Sequence, residues 1–318
     1  MCLYPKLIIN RKYTGTLKNK GNAPALRDER VRFVPVGCGN CIECRKQKAN
    51  EWRVRLFEEL KITKHAYFIT LTFEPSELEK LCTKYQLKES NAVAGKAVRM
   101  FLERIRKEYK KSVKHWLITE LGQSNTERIH LHGILFLEYV INNEWLERFW
   151  KYGKCDTGQW CNGQTINYII KYVYKLDLKH KGFVPQIFCS AGLGKNYITN
   201  FAKEKHKYRG KQTRDYYTLP NGGKTALPIY YRNKLFTEQE RELLWLNRID
   251  ADVRYVRGIK IANVMAKMEN LRRFNDILET AQKENIQLGY GDDSKEWRKR
   301  DYNITLRMLK KSRGEQPL

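Results

Sequence analysis

ERIHLHGILFL, residues 127–137, decides how the centre of this chain folds. Side chains of a β-strand point alternately to its two faces, so Ile129, Leu131, Gly133, Leu135 and Leu137 share one face. His130 and His132 project together from the other. An apolar stripe of that length belongs against a core, which leaves two imidazoles side by side on the opposite face. Such a pair is either part of a metal site or two histidines packed or solvated on a sheet. The neighbouring segments must decide between these.

KHWLITE (114–120) reads as a second strand, joined to the first by the polar turn LGQSNTE (121–127). If the two strands pair, Glu120 at the end of the first lies beside both histidines. Two imidazoles and a carboxylate leave positions open for water and a phosphate oxygen, as a catalytic divalent metal requires. Upstream, AYFITLTFEP (66–75) is a β-branched and aromatic strand stopped by Pro75, and Ser76 with Glu79 predicts a capping box opening a short helix. Residues 91–109 have amphipathic helical spacing, short helices are expected over 142–151 and 164–178, and FVPQIFC (183–189) reads as another strand. The β-α-β-β-α order between 66 and 178 predicts an α+β fold, an antiparallel sheet carrying helices on one side.

Outside that region, the first 37 residues read as short extended segments and loops, and a helix is expected from Ile42 to about Lys64 with Trp52, Leu56 and Leu60 on one stripe. Residues 194–206 look helical, 216–231 look like a hairpin around Asn221-Gly222, and the chain from Thr237 on reads as mostly helical, opened by a Thr237–Glu240 capping box. The expected division is an N-terminal Cys-rich segment with its helix (1–65), a sheet domain (66–235) and a helical C-terminal region (236–318).

Composition narrows the function. In 318 residues, 61 Lys and Arg stand against 35 Asp and Glu, and the net charge of +26 is spread along most of the chain. A field of that sign attracts polyanions, of which nucleic acid is the commonest in a cell. Hydrophobic residues at 42% exclude a disordered chain. There is no apolar run of about 18 residues and no signal-peptide core, so the protein is expected to stay where it is made, with no membrane partner. Eight cysteines in such a chain read as thiols or metal ligands rather than as a disulfide framework.

INYIIKYVYK (166–175) carries the chemistry. At helical spacing Ile166, Ile169, Ile170 and Val173 form an apolar stripe, and Tyr168, Lys171, Tyr172 and Lys175 form its complement. Tyr168 and Tyr172 are neighbours one turn apart, so either hydroxyl could reach one phosphate held over a metal. A free phenol, with a pKa of about 10, is ionised to only about one part in 10³ at neutral pH. Ammonium groups such as Lys171 and Lys175 favour the phenolate or the transition-state charge, and a metal on the non-bridging oxygens makes phosphorus more electrophilic. The ester so formed would keep the free energy of the broken link for later rejoining.

HLH between apolar residues, with YIIKY downstream, resembles the HUH endonucleases, the rolling-circle replication initiators. The paired tyrosines followed by Lys175 are similar to those of the initiators of small icosahedral single-stranded DNA phages. MCLYP and CGNCIECRKQKANEW resemble the initiators of gokushoviruses, a branch of the microviruses. The resemblance covers about residues 1–235. It implies the HUH nickase, or ferredoxin-like Rep, fold and a definite reaction. One tyrosine would nick the plus-strand origin of single-stranded or supercoiled viral DNA and stay joined to the 5′-phosphate, leaving a 3′-hydroxyl to prime synthesis. The second would cut the regenerated origin, and the circle would be closed. It further implies Mg²⁺ or Mn²⁺ on His130, His132 and Glu120, with Glu127 as the rival third ligand, host DNA polymerase as a partner, and action in the bacterial host's cytoplasm.

Cys38, Cys41 and Cys44 come at tight spacing, and the resemblance suggests Cys2 as a fourth ligand. Four thiolates suit structural Zn²⁺; ordinary reduced cysteines are the other reading, and Cys155 and Cys161 are further candidates. GGKT (222–225) resembles a phosphate loop, but Thr218 stands where that motif needs Gly, and the segment falls at a hairpin tip. No ATPase is expected, so strand separation would fall to a host helicase. Trp52, Trp116, Tyr67, Tyr216 and Tyr217 are candidate platforms for unpaired bases. Two rival functions keep the same residues in view: an HUH-type transposase, and a non-catalytic zinc-dependent DNA-binding regulator.

Overall fold

The computed structural model describes residues 1–122, 127–180 and 183–290. In chain order the elements are β1 (Lys6–Ile9), β2 (Phe33–Val36), α1 (Ile42–Ile62), β3 (His65–Leu71), α2 (Pro75–Tyr85), α3 (Ser90–Tyr109), β4 (Lys114–Leu121) and β5 (Ile129–Leu137). Then come α4 (Asn143–Phe149), β6 (Cys155–Trp160), α5 (Gly163–Ile169), α6 (Lys171–Tyr174), β7 (Ile187–Cys189), α7 (Asn200–His206), β8 (Tyr216–Thr218) and β9 (Lys224–Ala226). The described chain closes with α8 (Ile229–Leu235), α9 (Glu238–Asp250), β10 (Val253–Val256), β11 (Ile259–Ala262) and α10 (Met268–Gln287). The chain forms two compact units, one of residues 48–204 and 216–231, the other of residues 1–47, 205–215 and 232–318.

The sheet unit holds five antiparallel strands in the order β6-β3-β5-β4-β7. On one face Tyr67, Ile69, Leu71, Leu117, Leu131 and Leu135 pack against α2, α3 and α4, where Val98, Phe101, Ile105, Leu146 and Phe149 are buried. On the other, Ala66, Trp116, Ile118, Ile134 and Phe136 pack against Leu56 of α1 and against Ile166, Ile169, Ile170 and Val173. Helices therefore cover both faces, not one as the sequence led us to expect. The second layer comes from α1, which precedes the β-α-β-β-α segment, and from the helices after it. Burial of each large apolar side chain contributes roughly 1.5–3 kcal/mol, so both layers are held firmly.

His130 and His132 lie on the same face as Ile134 and Phe136. The helical layer buries that face along half of β5 and leaves the histidine half partly open. Gly133 lets β5 and β4 approach: a Cβ there would overlap the Leu117 side chain and the Trp116 carbonyl and lie 2.9 Å from Leu117 Cα. Gly133→Ala is expected to cost about 3 kcal/mol, because two strand backbones would have to part, and a thermal melt measures it.

The strand over 66–75 ends earlier than expected, and Pro75 occupies the first turn of α2 after Glu74, with no side-chain cap. The Ser76–Glu79 capping box is not formed, because proline's fixed φ and missing N–H suit that first-turn position. The hairpin at Asn221-Gly222 forms as β8 and β9, with Gly222 at φ 80°, and GGKT sits at its tip with no phosphate-loop geometry.

In the other unit, β1 pairs with β2 and the Thr237–Glu240 capping box is present. The C-terminal region is helical, but between α9 and α10 it carries the β10–β11 hairpin, which helical spacing did not anticipate. No described helix is long and apolar enough to cross a membrane.

Candidate active site

The β4–β5 register sets Glu120 opposite His130, while His132 sits between Ile118 of β4 and Thr70 of β3. Glu120 Oε2 lies 3.1 Å from His132 Nε2 and 3.6 Å from His130 Nε2. One donor atom from each of the three residues falls within 4.8 Å of the others. That donor set, two neutral imidazoles and a carboxylate, fits a divalent cation with positions left for oxygen ligands. His132 is fixed from three sides. Its Nδ1 is 3.2 Å from Thr70 Oγ1, and its ring stacks on Tyr172 at 4.7 Å and 14° and faces Phe68 at 6.0 Å and 17°. Burial opposes the charge on Glu120, yet hydrogen bonds from both imidazoles and the nearby Lys175 ammonium hold its carboxyl well below the usual carboxylate range.

The tyrosines arrive on α5 and α6. Asn162 caps α5, its Oδ1 accepting from the Gln164 and Thr165 N–H groups at 2.8 and 3.0 Å. The stripe of Ile166, Ile169, Ile170 and Val173 is buried on the sheet, which turns Tyr168 and Tyr172 toward the histidine end. Their hydroxyls are 3.0 Å apart and their rings 5.7 Å, at 85°. Tyr168 is half exposed, at 50%, with Phe68 edge-on at 6.1 Å, whereas Tyr172 is partly buried against His132. The two phenols are thus unequal in their surroundings.

The helix expected over 164–178 is divided at Ile170 and ends at Tyr174, so Lys175 leaves the tyrosine stripe. Its Nζ lies 3.3 Å from Glu120 Oε1, and Lys171 Nζ is 5.7 Å from the Tyr168 ring centroid. Burial, the hydrogen bond with Tyr168 and the negative Glu120 push the Tyr172 phenol well above its ordinary value. The lysines expected to favour its ionisation do not offset this.

Glu127 is not part of the donor cluster; its Oε1 lies 3.0 Å from Lys179 Nζ and 3.6 Å from His180 Nε2. Three of the aromatic platforms are not available to bases, because Trp116, Tyr67 and Tyr217 are core residues. Trp52 packs edge-on against Trp116 at 5.9 Å beneath the Arg55 guanidinium, and Tyr216 lies under Lys224. Thr70 and Phe68 are the site residues that the sequence reading missed. They alternate on β3, whose pairing with β5 puts them on the histidine face.

The second donor group is Cys2, Cys38, Cys41 and Cys44, whose sulfurs all lie within 4.8 Å of one another. Cys38 and Cys44 Sγ are 3.9 Å apart, Cys41 and Cys2 Sγ 4.0 Å. A tetrahedron of Zn–S bonds of roughly 2.3 Å has an edge of about 3.8 Å, so the thiols fit a tetrahedral soft cation. The Tyr4 and Cys38 N–H groups donate to Cys2 Sγ, and the Cys41 N–H donates to Cys38 Sγ. Hydrogen bonding with Cys2 brings the Cys41 thiol down to about 7. Cys155 and Cys161 join no such group among the described residues, and burial pushes them up to about 11 and about 12.

Residues 66–177 match the family model for the ORF2 class of replication-associated proteins. The chain is similar to replication-associated protein VP4 of Bdellovibrio phage phiMH2K, 21% identical over 262 residues that cover 76% of this chain and 79% of the relative. It is also similar to replication-associated protein ORF2 of Spiroplasma virus 4, 28% identical over 188 residues, 51% of this chain and 57% of the relative. No solved structure matches. The resemblance to phage replication initiators is borne out by these matches, and the matched segment contains Glu120, His130, His132, Tyr168 and Tyr172.

Proposed function

From a chain that resembles phage replication-associated proteins, we propose a metal-dependent nickase and strand-transferase of the HUH type, one that starts and ends rolling-circle replication of viral DNA. The observation that carries this reading is the stacking of the Tyr172 ring on His132 at 4.7 Å, with the Tyr168 hydroxyl 3.0 Å from that of Tyr172. Two nucleophiles and a metal-binding donor set share one partly open end of the sheet face. We assign the nickase to residues 66–235.

His130, His132 and Glu120 would hold Mg²⁺ or Mn²⁺, which supplies Lewis-acid polarisation of a phosphate oxygen. Tyr168 or Tyr172 attacks phosphorus through its phenolic oxygen, forming a Tyr–O–P bond as the P–O3′ bond breaks. The phenolic proton is lost and the departing 3′ oxygen gains one, so the products are a 5′-phosphotyrosyl ester and a free 3′-hydroxyl. Host DNA polymerase extends that hydroxyl behind a host helicase. The other tyrosine cuts the regenerated origin, and the new 3′-hydroxyl displaces the first tyrosine to close a circle. Lys171 and Lys175 contribute positive charge toward the transferred phosphoryl group. Zn²⁺ in the four-thiol group is structural. The site of action is the bacterial host's cytoplasm.

The test is incubation with supercoiled viral DNA and Mg²⁺ or Mn²⁺. The expected product is open-circular DNA whose 5′ end carries the protein, with no product when the metal is chelated. A chain that binds the DNA and leaves it supercoiled would be a regulator. One that joins the ends of a mobile element but ignores a phage origin would be a transposase.

Thr70 has a supporting role toward His132. A hydrogen bond to Nδ1 fixes the tautomer and aims Nε2 at the donor group. Thr70→Val keeps the shape and removes that bond. It is expected to raise the Mn²⁺ concentration needed for half-maximal adduct formation about tenfold, as a metal titration would measure.

A further inference from the structure

The roof of the four-thiol group comes from the other end of the chain. Cys38 and Cys41 are buried in one apolar cluster with Leu3, with Val256 of β10 and with Ala281 of α10. Phe274, Ile277 and Leu278 of α10 pack on the same cluster. Polar bonds fasten it. Asn285, fully buried, accepts from the Ile42 N–H at 2.9 Å, the first N–H of α1 directly after the cysteine loop. Its Nδ2 donates to the Tyr290 carbonyl at 3.0 Å. Gln282 Nε2 donates to the Leu3 carbonyl at 2.8 Å, and the Tyr4 hydroxyl donates to the Gln282 carbonyl at 3.4 Å. Both segments that carry the thiols are therefore gripped by α10.

Four sulfurs enclosed in apolar surroundings are unfavourable as thiolates unless a cation neutralises them. The apolar cluster beneath α10 is small, and a cluster of that size ordinarily needs a metal or another crosslink to stay folded. Each half of the arrangement lacks something the other supplies. We propose that β10, β11 and α10 form the lid of a structural zinc site, so that zinc binding and docking of the C-terminal region are one linked event. Zinc loss undocks α10, and loss of the α10 contacts loosens zinc. The linkage gives the C-terminal helices a role and does not depend on the nickase reading.

The full-length chain, purified without added metal, is expected to contain one zinc ion per chain by elemental analysis. After zinc is stripped with a chelator, hydrogen–deuterium exchange is expected to rise together in residues 37–44, in β10–β11 and in α10, while β3, β4 and β5 keep their protection. Asn285→Ala retains all four thiols and is expected to release zinc to a competing chelator about tenfold faster. A chain without zinc, another metal in its place, unchanged exchange in α10 after stripping, or unchanged release from Asn285→Ala would each overturn the proposal.

Discussion

Phenylalanine at both Tyr168 and Tyr172 is expected to abolish covalent attachment to DNA, by at least about 10³-fold, and to leave the fold intact. Only the two hydroxyls are removed, and they bond to each other at 3.0 Å rather than to the core. The Tyr172 ring can still stack on His132, so stability should change by less than about 1 kcal/mol. A shifted protein band on a denaturing gel reports the adduct, and a thermal melt reports the fold. The single variants should differ. Tyr172 lies against a candidate ligand and Tyr168 is half exposed, so Tyr172→Phe is expected to impair the first cleavage more than Tyr168→Phe. A regulator that used the histidines only as surface residues would tolerate all three variants.

Alanine at His130 or His132, or glutamine at Glu120, is expected to lower metal-dependent nicking about 10³-fold, because each removes one donor of a three-donor set. His132→Ala should be the most damaging, since that ring also supports Tyr172 and Phe68. Glu127→Gln is the matched control. Its carboxylate is exposed and pairs with Lys179, so nicking should stay within about twofold of the unsubstituted chain. Metal binding read directly, by calorimetry with Mn²⁺, separates loss of the ion from loss of the fold. If Glu127→Gln were crippled and Glu120→Gln active, the third ligand would have been assigned to the wrong acid.

Much of the site was legible because it is built from local periodicities. Alternation in ERIHLHGILFL sets the two histidines on one face, and a short turn brings Glu120 across from His130. The isoleucine stripe of INYIIKYVYK turns the tyrosines to its other side. Features that depend on long-range pairing were not legible. Thr70 and Phe68 join the site only because β3 pairs with β5, some sixty positions away, with Thr70 opposite His132. Cys2 reaches Cys38 through the β1–β2 ladder, in which Lys6 stands opposite Val36. The strand CDTGQW (155–160) lacks an apolar stripe, since β6 is an edge strand joined by its backbone to β3 alone. The hairpin inside the C-terminal region turns on Arg257 and Gly258, both at positive φ, a local signal that the strong helical spacing on either side obscured. Lys175 falls off the expected stripe because the helix ends one residue before it, at Tyr174.

The most direct test is peptide mapping of the covalent product after the full-length chain meets single-stranded origin DNA with Mg²⁺ or Mn²⁺. A 5′-phosphate carried on Tyr168 or Tyr172, with a free 3′-hydroxyl on the released strand, is the predicted result. Cleaved DNA with a free 5′-phosphate and no attached protein, or attachment through any other residue, would contradict a tyrosine pair acting beside the His130–His132 face.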